Sequence, residues 1–257
     1  MSLVGRDSEV AALRTTVDLA LRGQGRVTLL TGEPGIGKTA LAAVTAAYAE
    51  AVGASVAWAD CWLGGGQPPF GPWAQVLAAL GQEDVLTRPA ADRYRRFMDV
   101  ADALAGAAAR RPLLVVLDDL DQADAGSRRL LEFLTHYRGR SRLCLIGAGR
   151  GGVAPLAGPV ETHALSGLAQ DATGRLLAEL GVDQELTAVH RGTGGNPYRI
   201  RELAQPYRLD ALPPETLDRL ATAALVGPVF PVGLVGASRL EPALRAGVIR
   251  AVDEEQS

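Results

Sequence analysis

One short segment constrains the fold of this chain more than any other part of its sequence. The segment Gly32–Thr39 reads GEPGIGKT, with the spacing G-x-x-x-x-G-K-T, and it lies between an apolar run and an Ala-rich stretch. Glycines let such a backbone curl until successive N–H groups point at phosphate oxygens, and the positive end of a following helix adds to the attraction. The sequence therefore predicts a strand, a phosphate-binding loop and a helix, and we call Gly32–Thr39 the phosphate loop.

Residues of the phosphate loop have separate expected tasks. Lys38 supplies a mobile positive charge among the phosphates of ATP or ADP, and the Thr39 hydroxyl is an expected ligand of Mg²⁺. An ordinary Gly-rich turn that binds nothing is the alternative. The residues expected to contact the nucleotide here are Gly32, Glu33, Pro34, Gly35, Ile36, Gly37, Lys38, Thr39 and Ala40.

A pair of acids follows another apolar run. The segment Leu113–Asp119 reads LLVVLDD, as expected for a buried strand that ends in two carboxylates. Asp118 is the second predicted ligand of Mg²⁺, and Asp119 is predicted to orient the attacking water beside the γ-phosphate. Helix-cap or turn acids are the alternative, and we give that interpretation to Asp121 and Asp124.

An arginine comes directly after the next apolar run, which ends at Gly149. Arg150 is therefore predicted to reach the γ-phosphate from within the same chain and to stabilise charge in the transition state, as a catalytic group together with Lys38 and Asp119. A solvated loop arginine is the alternative.

Apolar runs rich in β-branched residues alternate with helix-like stretches, which predicts an α/β fold with a five-stranded, mainly parallel sheet covered on both faces. The predicted strands are Arg26–Thr31, Ser55–Asp60, Leu113–Asp118, Arg142–Ala148 and a weaker one near Val160–Leu165. The predicted helices between them are Ser8–Leu21, Lys38–Val52, Trp73–Ala79, Asp92–Ala109 and Ser127–Tyr137.

The strand signals stop after about Ser166, which divides the chain into three predicted parts. Residues 1–165 form the nucleotide-binding α/β domain, residues 166–205 a helical lid, and residues 206–257 a winged-helix-like or truncated segment. Short helices are expected in the lid at Gln170–Leu180, Asp183–His190 and Tyr198–Ala204, and another in the last part at Thr216–Leu225.

Composition excludes several classes of partner. The 26 Lys and Arg residues against 29 Asp and Glu residues give a net charge of −3, so no basic field attracts nucleic acid or an anionic membrane. Charged residues near the amino terminus exclude a secretion signal there, and we expect a cytoplasmic protein. Cys61 and Cys144 are expected to be buried thiols rather than a disulfide or a metal pair.

Taken together, these motifs resemble the ATPase region of the signal-transducing ATPases with numerous domains, and within them the large ATP-binding LuxR-type transcriptional regulators related to the maltose regulon activator. The matching segments are Leu3–Glu9, the phosphate loop, Pro69–Trp73, Leu117–Leu120 and Gly194–Tyr198. The resemblance implies a P-loop NTPase of the AAA type with the strand order 5-1-4-3-2. It fails after Leu120, where relatives usually have His-Trp and this chain has Asp121 and Gln122.

The resemblance also implies the contacts of the base. In such relatives the Val-Gly-Arg segment lies along the adenine, which assigns this task to Val4, Gly5 and Arg6. The lid proline packs on the other side of the base, which makes Pro197 an adenine contact and gives Asn196 the task of shaping its loop. A plain turn between helices is the alternative for the lid motif.

Three functions are the alternatives for a chain with this sequence. The first is a regulatory switch with slow, Mg²⁺-dependent ATP hydrolysis, attached to carboxy-terminal sensor and DNA-binding domains or to protein partners, and capable of ATP-dependent self-association. The second is a stand-alone ATPase or phosphotransferase, which would turn over at typical enzyme rates of roughly ten per second. The third, direct DNA binding by this segment, is opposed by the net charge of −3.

Overall fold

A single sheet with helices on both faces forms the main body of the protein. The computed structural model describes residues 3–61, 69–137, 141–150, 158–182, 184–204, 212–226, 240–243 and 249. The strands are β1 (Arg26–Gly32), β2 (Ser55–Asp60), β3 (Leu113–Asp118), β4 (Leu143–Gly149) and β5 (Glu161–Leu165). The helices are α1 (Asp7–Leu21), α2 (Lys38–Ala51), α3 (Gly71–Ala79), α4 (Asp84–Thr87), α5 (Arg93–Arg110), α6 (Ala125–Tyr137), α7 (Gln170–Glu179), α8 (Leu186–Thr193), α9 (Pro197–Ala204) and α10 (Pro214–Val226).

Side chains of the buried strands alternate between two cores because successive residues of a strand point to opposite faces. Leu113, Val115 and Leu117 of β3 pack with α3, α5 and α6 on one face. Leu114 and Val116 pack with α1 and α2 on the other face. A strand buried on both sides needs an unbroken apolar sequence, which is why β3 has no polar residue before its last position.

The strands run parallel in the order β2-β3-β4-β1-β5. This is the order 5-1-4-3-2, so the fold class predicted from the sequence is confirmed. Because all the strands point the same way, their carboxyl ends meet at one edge of the sheet. The phosphate loop after β1, the two acids after β3 and Arg150 after β4 therefore lie along that edge.

The predicted elements are found within one or two residues of their expected ends, apart from the lid helix α8. That helix was expected at Asp183–His190 and forms at Leu186–Thr193. The four-residue helix α4 was missed, since so short a segment shows no helical period. Cys61 and Cys144 are free, buried thiols on opposite faces of the sheet, as expected. Burial raises the pKa of each thiol to about 12.

Helices α7, α8 and the start of α9 form a small core of their own, built from Leu168, Ala172, Leu176, Val189 and Ile200, with Val4 packed against it. The chain divides into two compact units, residues 1–200 and 201–257, and this core belongs to the first unit together with the sheet. We use the name lid from here on for residues 166–200 of the first unit.

The second unit contains α10, whose Ala223 packs with Leu240 and Ile249. Of the predicted winged-helix-like segment, the structure describes residues 212–226, 240–243 and 249. Within the described part of the chain, no helix is both long enough and apolar enough to cross a membrane.

Candidate functional site

The phosphate loop turns sharply between β1 and α2. Gly32, Gly35 and Gly37 have φ angles of +149°, +75° and +105°, a region that residues with a Cβ rarely adopt. Gly37 is the residue before the first turn of α2, and a Cβ there would meet open space. Having no side chain, it cannot cap the first N–H groups of α2, so these donors are available to an anion.

Lys38 folds back on the start of the phosphate loop. Its Nζ donates to the carbonyl oxygens of Gly32, at 3.0 Å, and of Glu33, at 2.9 Å. Burial lowers the pKa of Lys38, and the nearby carboxylates of Asp121, Asp119 and Asp118 oppose that effect. The lysine is thus a buried cation placed between the loop backbone and the acids at the end of β3.

Asp118 and Thr39, the two predicted ligands of one cation, lie close together. Asp118 is 4% exposed, and its carboxylate accepts a hydrogen bond from the N–H of Asp119 at 3.0 Å. Burial raises the pKa of Asp118, and the nearby Thr39 hydroxyl and the N–H of Asp119 only partly offset the increase. A cation beside this carboxylate would remove the cost of burying its charge.

Asp119 adopts a left-handed backbone conformation, with φ of +49°. This conformation is uncommon outside glycine and is a form of strain that collects at functional sites. It turns the chain abruptly from β3 into the short 3-10 turn Leu120–Gln122, so the exposed Asp119 and the buried Asp118 face different surroundings. Asp124 accepts from the N–H of Ser127 at 2.9 Å and caps α6, as expected.

Arg150 is bound to Asp121. Its backbone N–H donates to Asp121 Oδ1 at 2.9 Å, and its Nε lies 3.4 Å from Asp121 Oδ2. Asp121 lies in the turn after β3, as expected, but its carboxylate binds this arginine and caps no helix. The predicted contact of Arg150 with a γ-phosphate stays a prediction.

Arg6 connects three segments beside the phosphate loop. Its guanidinium donates to the carbonyl oxygens of Ile36, at 3.1 Å, and Ser166, at 2.5 Å, and to the Glu9 carboxylate at 3.0 Å. The side chain is 7% exposed. A Cβ on the preceding Gly5 would lie 2.4 Å from the Cβ of Ala172, so only glycine lets this segment approach α7. Arg6 therefore joins the amino terminus to the loop and to the start of the lid.

Asn196 joins the lid to the phosphate loop. Its Nδ2 donates to the Pro34 carbonyl at 3.0 Å, and its Oδ1 accepts from the N–H groups of Tyr198, at 3.0 Å, and Arg199, at 3.4 Å. Asn196 thus caps α9 and binds the loop with one buried amide. The N–H of Tyr198 also donates to the Gly35 carbonyl at 3.3 Å. Pro197 follows as the first residue of α9, partly exposed beside the loop.

The residues present fit a nucleotide with Mg²⁺. No group of three or more His, Cys, Asp or Glu side chains that could hold a metal by itself occurs among the described residues. Mg²⁺ does not need one, because it is usually held by one or two protein oxygens, several waters and the phosphates of its nucleotide. The Asp118 carboxylate and the Thr39 hydroxyl supply such oxygens next to the loop.

Comparison with known families agrees with this arrangement. The family described as AAA ATPase domain matches residues 2–146, more than half of the chain. The chain belongs to the AAA ATPase domain family. The match includes the phosphate loop, the acids after β3 and most of β4, and ends before Arg150 and the lid. No curated protein matches the chain closely enough to add to this assignment.

Solved structures of AAA-type proteins share the fold of this AAA ATPase domain. The Aeropyrum pernix ORC2 protein, solved in ADPNP-ADP complexes, is 17% identical, with a TM-score of 0.53 over 99% of this chain and 84% of that one. Cdc6p from Pyrobaculum aerophilum is 14% identical, with a TM-score of 0.50 over 99% and 84%. A point mutant of Thermotoga maritima RuvB is 15% identical, with a TM-score of 0.50 over 93% and 70%. At these identities the likeness shows the fold alone.

Several polar contacts of this chain were not predicted from the sequence, among them those of Asn196 and Asp121. The bond of Asn196 to Pro34 joins residues far apart in the chain, and no local pattern announces it. The pair of Asp121 and Arg150 could have been predicted from the sequence, because an acid and an arginine follow the ends of β3 and β4, which are neighbours in the sheet.

Proposed function

We propose that this AAA ATPase domain binds Mg-ATP and Mg-ADP at the phosphate loop, hydrolyses ATP slowly, and acts as a regulatory switch in a LuxR-type transcriptional regulator. The observation that carries the proposal is that Thr39 lies close to the Asp118 carboxylate, beside the phosphate loop in which Lys38 donates to the Gly32 carbonyl. A phosphate cradle, a mobile cation and two hard oxygen ligands in one place are what a nucleotide with a divalent cation requires.

Each residue of the site has a task in the proposed hydrolysis. The N–H groups of the loop and Lys38 hold the β- and γ-phosphates, and Thr39 and Asp118 hold Mg²⁺, which neutralises phosphate charge when bound. Asp119 accepts a hydrogen bond from the attacking water and orients it towards the γ-phosphorus. Arg150 stabilises the charge that develops on the γ-phosphate oxygens.

The lid supplies the switch in this proposal. Pro197 would pack on the adenine from one side and the segment Val4–Arg6 from the other, as the resemblance to LuxR-type regulators implies. Arg6, in the amino-terminal segment, and Asn196, in the lid, both donate hydrogen bonds to the phosphate loop. A change in the loop on binding ATP would therefore be passed to both segments. The attached sensor and DNA-binding domains, and self-association in the ATP state, belong to the same proposal.

The acids after β3 give the first test. Asp119→Asn keeps the shape of the side chain but removes the basic oxygen, so single-turnover hydrolysis should fall by roughly a hundredfold or more while Mg-ATP binding survives. Asp118→Ala should instead weaken Mg²⁺-dependent binding, because the cation loses its protein carboxylate. If Asp119→Asn hydrolyses ATP at the parental rate, another group orients the water and this part of the proposal is wrong.

Turnover distinguishes the switch from the stand-alone ATPase or phosphotransferase. A switch needs a long-lived ATP state, so the parental rate should lie far below the roughly ten per second of a typical enzyme. A rate near that value, or transfer of the γ-phosphate to an acceptor other than water, would favour the alternative. That this segment does not bind DNA directly stays a prediction, and titration with duplex DNA at physiological salt would check it.

A further inference from the structure

Asp121 lies beside the phosphate loop and has no task in the proposed hydrolysis. Both of its carboxylate oxygens are engaged. Oδ1 accepts from the backbone N–H of Arg150, and Oδ2 lies next to the Nε of Arg150 and accepts from Gln122 Nε2 at 2.8 Å. The Asp121 side chain is 17% exposed and that of Arg150 61% exposed. A well-fixed carboxylate therefore holds an arginine whose outer end is open to solvent.

The fold itself brings this pair together. The left-handed conformation of Asp119 turns the chain out of β3, and Leu120 then becomes buried against β4. A Cβ on Gly147 would lie 2.9 Å from Leu120 Cδ2, so β4 has a glycine where the turn needs room. With Leu120 seated on β4, the next residue lies against the segment that leaves β4 at Arg150. The packing of Leu120 on β4 therefore fixes the position of Asp121 beside Arg150.

Arg150 and Asp121 lie beside the phosphate loop because of the register of the sheet. Gly149 of β4 is paired with Thr31 of β1, so Arg150 follows β4 at the level where β1 enters the loop at Gly32. Asp121 contacts the Arg150 side chain through Nε, at 3.4 Å, and the γ-phosphate of ATP is a second anion that attracts the same guanidinium, so a guanidinium that turns towards the phosphate leaves Asp121.

We infer that Asp121 is a positioning residue that holds the Arg150 guanidinium at the edge of the phosphate loop, and that the γ-phosphate of ATP competes with it for that guanidinium. The inference rests on the proposed function. ADP has no γ-phosphate and leaves the pair intact, so Asp121 weakens ATP binding without affecting ADP binding. It thereby sets how strongly the chain prefers ATP to ADP.

The test is a double-mutant cycle read by nucleotide preference. Dissociation constants for Mg-ADP and for the Mg²⁺ complex of the β,γ-imido analogue of ATP are measured for the parent, Asp121→Asn, Arg150→Gln and the double variant. Asp121→Asn keeps an acceptor for the Arg150 N–H but removes the competing charge. It should tighten binding of the analogue relative to ADP by about threefold to tenfold in the parental background, and change the ratio less than about twofold in the Arg150→Gln background.

Each of the remaining outcomes counts against the inference. Simple relief of repulsion between Asp121 and the phosphates would tighten binding of the analogue equally in both backgrounds. A merely structural role for Asp121 would weaken both nucleotides alike and leave their ratio unchanged. Asp84→Asn, which removes a carboxylate from the exposed pair with Arg88, is the matched control and should change neither constant. If the parent binds neither nucleotide, the proposed function fails; if it binds both and the ratio never changes, only the role of Asp121 fails.

Discussion

The two sides of the phosphate loop are built differently. On the sheet side, at the ends of β3 and β4, the polar side chains are charged and bind one another, as in the pair of Asp121 and Arg150. On the lid side, Arg6 and Asn196 bind backbone carbonyl oxygens of the loop, at Ile36 and Pro34. The sheet side therefore has charges that can exchange partners with a nucleotide. The lid side has satisfied hydrogen bonds that hold the loop in place.

This difference predicts which changes affect chemistry and which affect architecture. Changes on the sheet side should alter how phosphates and Mg²⁺ are held with little loss of stability. Changes on the lid side should cost stability and should treat ATP and ADP alike, because both share the adenine and the loop.

Lys38→Ala should have the largest effect on binding. It removes the side-chain cation that crosses the phosphate loop, and charged hydrogen bonds to several phosphate oxygens are lost at once, so Mg-ATP affinity should fall on the order of a hundredfold. The free energy of unfolding should change little, since the Lys38 ammonium donates only to carbonyl oxygens of its own loop. Calorimetric titration measures the first quantity and urea denaturation the second.

Lys38 also offers an independent measurement, because it is the single lysine of the sequence. Acylation of its Nζ by an amine-reactive reagent, located by mass spectrometry, should slow when Mg-ATP is present.

The control variant for the effect of Lys38→Ala on binding is Arg26→Ala, at the opposite end of β1, which should bind nucleotide like the parent. A Lys38→Ala variant that binds as tightly as the parent would show that Lys38 does not hold the phosphates.

Asn196→Asp should have an intermediate effect, and mainly on stability. Asp still caps α9 through an oxygen, but it cannot donate to the Pro34 carbonyl, so the bond from lid to loop is lost while the cap is kept. The free energy of unfolding should fall by about 1 to 3 kcal/mol, the cost of a lost buried hydrogen bond. Asp92→Asn, a cap exchange in the opposite direction at the exposed start of α5, should cost almost nothing.

Both nucleotides should lose affinity equally in Asn196→Asp. If ATP binding alone weakens, the lid side senses the γ-phosphate and the contrast between the two sides is wrong.

Pro197→Ala should have the smallest effect. A proline packed on the adenine contributes a modest apolar contact, so affinities for ATP and ADP should fall together, by about twofold to fivefold. Fluorescence competition with a labelled adenine nucleotide is sensitive enough to measure this change. Pro214→Ala at the start of α10 makes the same substitution at another first helical position and should leave both affinities unchanged. A loss confined to ATP would mean that Pro197 does not contact the base.

The sequence predicted the sheet side better than the lid side for a physical reason. Strands such as β3 are buried on both faces and so require unbroken apolar runs, and their order brings the residues after them to one edge. Asp118, Asp119 and Arg150 could therefore be placed from the local pattern alone. Contacts such as that of Arg6 with Ser166 join residues far apart in the chain, and no local period encodes them. The turn acid Asp121 lies between these cases, since its position was predicted and its partner was not.

Titration of the full chain with ATP, with and without Mg²⁺, tests the central claim most directly. We expect saturable binding of one nucleotide per chain, weakened when Mg²⁺ is removed by a chelator, because Thr39 and Asp118 lose the cation that they hold with the phosphates. Absence of saturable binding up to millimolar ATP, or binding that does not respond to Mg²⁺, would contradict it.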